Sequence, residues 1–78
     1  MSIINVQKIG MKIKQKREEK HLKQRELAEM AEVSRSMIAC IETGRIVPSV
    51  KTLCKIAIAL DEEISYFFEN VVTNNVHK

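Results

Sequence analysis

The sequence predicts an all-α domain of five short helices, and three observations carry that prediction. One Pro and two Gly are all that interrupt 78 residues, so nearly the whole chain is free to be helical. Apolar residues recur every three or four positions in five separate stretches, the spacing of one buried helix face. Residues suited to starting or stopping helices, Asn5, Ser34, Gly44 and Ser49, stand between those stretches.

Taken in order, Asn5 can cap a first helix from about Val6 to Lys20, with Ile4 and Ile9 placed as a hydrophobic staple. Its inward stripe of Val6, Ile9 and Ile13 then meets Arg17, a charge where an apolar side chain is due, which therefore requires a partner. Lys12, Lys14, Lys16 and Lys20 surround this helix and read as a solvated exterior. The second helix, Gln24 to Ala31, places Leu27, Ala28 and Ala31 on one face. The third begins after Ser34, with Ile38 and Ile41 facing inward and Met37 between the faces as core filler. Only Glu32 and Val33 lie between Ala31 and Ser34, so the two helices must cross at a steep angle. Gly44 stops the third helix. Pro48 and Ser49 start a fourth, whose stripe is Val50, Leu53, Ile56, Ala57 and Leu60. A fifth, about Glu63 to Val72, repeats the pattern with Ile64, Phe67, Phe68 and Val71, and the polar ending TNNVHK reads as frayed. No repeat, linker or low-complexity segment divides residues 1–78, which form a single domain with an ordered core of about 6–72.

A chain of this length is near the lower limit at which a core holds without staples or a second subunit. Its composition, 45% hydrophobic and 29% charged, is globular. The net charge of +3 divides unevenly: residues 1–60 carry twelve Lys and Arg against six acids, and residues 61–78 carry one against four. A basic body of that kind expects a polyanion. Cys40 and Cys54 with His21 and His77 lack metal-ligand spacing, so no metal is expected. No Ser-His-Asp or Cys-His set and no Gly-rich phosphate loop is present. Neither enzyme activity, nor a cofactor, nor a small-molecule ligand is expected. No apolar run has the length or flanks of a signal peptide or membrane span, which points to the cytoplasm, reduced thiols and no membrane partner.

The stretch AEVSRSMIACIETG, Ala31 to Gly44, is unusual. It puts Arg35, Ser36, Ala39 and Cys40 on the side facing away from its apolar residues, where long charged side chains normally stand. The surrounding segment resembles the helix-turn-helix of the Cro and C1 phage-repressor (XRE-like) family. The residues that carry the resemblance are Gln24, Leu27, Ala28, Val33, Ser34, Ile38, Ile41, Glu42, Gly44, Pro48, Ser49, Leu53, Ile56, Ala57, Ala59 and Leu60. It implies a compact lambda-repressor-like fold, a motif at 24–44, and a sequence-specific transcription regulator, a repressor or autoregulator, that binds double-stranded DNA. It also gives Arg17 its partner, Glu42, which follows Ile38 by one turn as Arg17 follows Ile13.

If the third helix enters the major groove, its bare face lets it sit deep. Arg35 can then make a two-pronged contact to guanine O6 and N7, with Ser36, Ala39 and Cys40 as the other base-facing residues. Gln24 matches a family residue that contacts phosphate; Arg25, Ser34, Arg45 and Lys51 flank the groove and are assigned the same role. The apolar surplus of the last helix, Ile64, Tyr66, Phe67 and Val71, exceeds what a short terminal element can hide. It predicts a homodimer on a palindromic operator, with the acid cluster Asp61, Glu62 and Glu63 keeping DNA off the dimer face. The competing reading is a protein interaction module or antitoxin-like partner that uses its last helix, with the motif as scaffold. Four residues depart from the family pattern: Ala39 and Cys40 replace commoner polar residues, so specificity rests on few base contacts, and the other two lie at the ends of the second helix. Lys23 stands where an N-cap Thr or Ser is usual, and Glu32 where the turn often has Gly.

Overall fold

The computed structural model describes the backbone of residues 2–4, 6–69 and 72–74 and the side chains of residues 8–69. Four helices, α1 (Val6–Glu19), α2 (Gln24–Ala31), α3 (Arg35–Glu42) and α4 (Val50–Ala59), make an all-helical body, followed by a 3₁₀ turn at Ile64–Phe68. Near the ends, β1 (Ser2–Ile4) and β2 (Val72–Asn74) pair antiparallel with Ile3 opposite Thr73.

The core consists of Ile9 and Ile13 of α1, Leu27, Ala28 and Ala31 of α2, Ile38 and Ile41 of α3, Leu53, Ile56 and Ala57 of α4, and Leu60 and Phe67 beyond it. These are the positions that the 3.6-residue period turns inward. Val50 is an exception: it lies in the first turn of α4 and remains 70% exposed. The proposed cap Asn5, the side chains of Ile4 and Val6, and Val71 lie outside the described residues.

The expected fifth helix is shorter and tighter, so the described residues form four α-helices. Ile64, Tyr66, Phe67 and Phe68 carry β-branched or aromatic side chains that lose rotamer freedom in an α-helix. One 3₁₀ turn, closed by Tyr66 N–H on the Glu63 carbonyl at 3.0 Å, is enough to bury Phe67. The start of the ending expected to fray, Thr73 and Asn74, pairs in the ladder instead.

Local chemistry sets the turns. Ser34 and Ser49 cap α3 and α4, their hydroxyls accepting the backbone N–H of Met37 at 3.0 Å and Thr52 at 3.1 Å. Lys23 offers α2 no acceptor, but its own N–H donates to the Glu26 carboxylate at 2.7 Å, which leaves half of a capping box. Gly44, at φ 80°, ends α3. Glu32 takes the same left-handed conformation at φ 61°, as do His21 at 59° and Asp61 at 56°. Each lets the next residue's N–H return to the helix behind it: Leu22 to the Arg17 carbonyl, Val33 to Ala28 and Glu62 to Ala57. A side chain with a Cβ is strained there by about 1 kcal/mol.

Gly10 is buried where α1 meets α3. A Cβ on it would run into the carbonyls of Ile41 and Glu42, so the two backbones touch at this point.

Candidate nucleic-acid interface

Beside that contact the buried charges meet. Arg17 donates through Nε to Glu42 Oε2 at 2.6 Å, through Nη2 to Glu42 Oε1 at 3.1 Å, and through Nη1 to the Leu22 carbonyl at 2.7 Å. The hydrogen bonds to Glu42 raise the Arg17 pKa against the opposing effect of burial, so the guanidinium stays charged wherever the domain is folded. A fork-to-fork pair fixes the angle of the carboxylate as well as its position.

The consequence reaches the surface. Gln24, first residue of α2, donates its side-chain amide to Glu42 Oε1 at 3.0 Å. A carboxylate can only accept, so the amide nitrogen must face inward and the amide oxygen outward. That oxygen accepts Nη1 of Arg35 at 3.1 Å. Arg17, Glu42, Gln24 and Arg35 therefore form one line from the core to the outer face of α3. Sequence reasoning gave Gln24 only a phosphate contact. Its place in this relay depends on the crossing of α2 and α3, which no spacing along the chain reveals.

The rest of the outward face is low. Arg35 and Ser36 are exposed, while Ala39 and Cys40 are half-buried. Thr43 donates its hydroxyl to the carbonyls of Ala39 and Cys40 at 3.1 and 3.2 Å. These residues and Arg45 line an open hollow of about 370 Å³. Arg25 and Lys51 are exposed in the first turns of α2 and α4, and Arg45 is exposed just past α3. Ser34 is also exposed, with its hydroxyl oxygen capping α3.

Residues 13–67 match the helix-turn-helix family. The chain belongs to that family, in its Cro/C1-type branch. It is a DNA-binding transcriptional regulator and not an enzyme. It is 44% identical over 63 residues to the ImmF control region 10 kDa protein of Bacillus phage phi105, covering 81% of this chain and 70% of that one. It is 46% identical over 57 residues to the immunity repressor protein of the same phage, covering 73% of this chain and 40% of the repressor. Among solved structures it resembles the restriction-modification controller protein C.AhdI from Aeromonas hydrophila, with a TM-score of 0.79 and 32% identity over 81% of this chain and 96% of that one.

The regulator's other distinctive region surrounds the 3₁₀ turn. Phe67 is wholly buried and meets Tyr66 edge-on, ring centroids 5.1 Å apart. It is core, which corrects its placement in a dimer face: the tight turn points it back between α1 and α4. Lys12 and Lys16 lie over the Tyr66 ring at 4.4 and 5.3 Å, a cation–π contact, and Lys16 also pairs with Glu19 and Glu62 at 3.2 Å each. Two of the lysines read as plain exterior thus tie α1 to the turn, and one acid of the 61–63 cluster has a structural partner. Ile64 and Tyr66 are half-buried, while Ile58 and Phe68 remain 79% and 38% exposed. No helix among the described residues is long and apolar enough to cross a membrane.

Proposed function

We propose that the regulator binds a palindromic operator as a homodimer in the cytoplasm and acts by occupying promoter DNA, as a repressor or autoregulator. The observation that carries this reading is Arg35, presented on the first turn of α3 and held by Gln24, with no long side chain on the outward face after it. A helix so shaped fits the major groove, where a guanidinium matches guanine O6 and N7. Ser36, Ala39 and Cys40 complete the base-facing set. Arg25, Arg45 and Lys51 grip phosphate on either side, joined by the Ser34 hydroxyl and the second amide proton of Gln24. The relatives' names, a phage control-region protein and an immunity repressor, support repression as the direction of control.

Exposed Phe68, together with half-buried Ile64 and Tyr66 of the same 3₁₀ turn, supports pairing of two copies through that turn. Two α3 helices would then enter the groove about 34 Å apart, one turn of B-DNA. The test is selection of bound sequences from a random duplex pool, with sedimentation of free protein and complex. A symmetric site that binds twice the 9.0 kDa chain and weakens steeply with salt is the expected result. A pool with no enriched sequence would favour the protein interaction module, and a single half-site bound by one copy would remove the dimer.

A further inference from the structure

Thr43 turns its hydroxyl onto the carbonyls of Ala39 and Cys40, which commits its proton to the backbone and leaves its methyl and the acceptor side of its oxygen unengaged. With the Ala39 methyl and the Cys40 sulfur, this gives the 370 Å³ hollow an apolar floor, with Arg45 beside it. That floor has no strong donor to offer the acceptor-rich edge of a base, since Ala39 has no polar side-chain atom, a thiol is a weak donor and the Thr43 proton is already committed. Arg35 at one end of α3 and Arg45 just past the other mark the ground between them as facing an anionic surface. The apolar group that duplex DNA presents in its major groove is the 5-methyl of thymine.

We propose that this hollow is a methyl-reading subsite, and that the operator carries thymine there. The inference rests on α3 being the helix that reads bases. Ala39 and Cys40 follow Arg35 by four and five residues, about 6 to 7.5 Å along the helix axis. The thymine therefore lies about two base steps, at 3.4 Å each, from the guanine that Arg35 reads.

The probe is the duplex selected from the random pool, remade with uracil for thymine at that position so that only the methyl is lost. The native protein binds the uracil duplex about fourfold more weakly per altered half-site, the factor for removing one buried methyl-sized group. Cys40→Asn, which fills the hollow with an amide, brings the thymine-to-uracil ratio to about one. Cys40→Ser, which keeps the volume but adds a stronger hydrogen-bonding group, lowers the ratio in the same direction. Arg45→Ala weakens both duplexes alike and leaves the ratio unchanged. Equal binding of the two duplexes by native protein, with Arg35→Ala still abolishing the guanine preference, would overturn the methyl subsite and spare the reading of α3. Failure to enrich any duplex would overturn both.

Discussion

Arg35 on α3 is backed by a continuous line of charged and amide groups running inward through Gln24 and Glu42 to Arg17, whereas the 3₁₀ turn is seated by Phe67 in the core and by two lysines over Tyr66. Hydrogen bonds are directional, and each one in the line removes an angular freedom from the next side chain. Burial of an aromatic ring is not directional; it stabilises without setting an angle on the surface. The first arrangement suits a guanidinium that must meet two acceptors in a base edge. The second suits a surface that associates through apolar area.

Substitutions separate the two. Glu42→Ala should have the largest combined effect, costing about 3 to 5 kcal/mol in urea denaturation, because Arg17 is left buried and unpaired. Phe67→Ala should cost a similar amount, about 3 to 5 kcal/mol, but protein that still folds should keep its base preference, whereas Glu42→Ala should lose it with the support of Gln24. Equal retention of preference by both variants would break the contrast. Gly10→Ala, which forces α1 away from the end of α3, should cost about 1 to 3 kcal/mol and shift the thermal midpoint down.

Smaller changes act on the turns and on the lysine contacts. Lys23→Thr should gain roughly 0.5 to 1.5 kcal/mol by supplying the missing cap acceptor. Glu32→Gly should be neutral or gain up to about 1 kcal/mol by relieving a positive φ; a loss in either melt would contradict the account of that turn. The smallest effect belongs to Lys16, whose pKa is raised by its hydrogen bonds to Glu62 and then Glu19. A raised folded-state pKa means that this contribution is complete below the ordinary lysine value of 10.5 and is lost as pH climbs through the raised one. The stability difference between native protein and Lys16→Met should therefore be flat through neutral pH and shrink as the lysine loses its proton in strong alkali.

The helices of the body were legible because their apolar residues keep one period and their caps are of the expected types. Arg17 was legible as a misfit in an apolar stripe, and the family pattern named Glu42 as its partner. The relay through Gln24 was not, since its members are 11 to 25 positions apart along the chain and meet only through helix crossings. The left-handed His21 and Asp61 carry no sequence signal as definite as glycine's, because both residue types mostly stand at negative φ. Phe67 and Phe68 show where periodicity fails: neighbours in a five-residue turn, they part between core and surface according to a 3₁₀ geometry that a 3.6-residue period does not describe.

Guanine reading by Arg35 is decided by the dissociation constants of native protein and Arg35→Ala on the selected duplex, with each half-site guanine intact or replaced by 7-deazaguanine, which lacks the N7 acceptor but pairs normally. Native protein should bind the deaza duplex about fivefold or more weakly, and Arg35→Ala should bind both duplexes equally. The same loss in both proteins, or none in the native one, would contradict it.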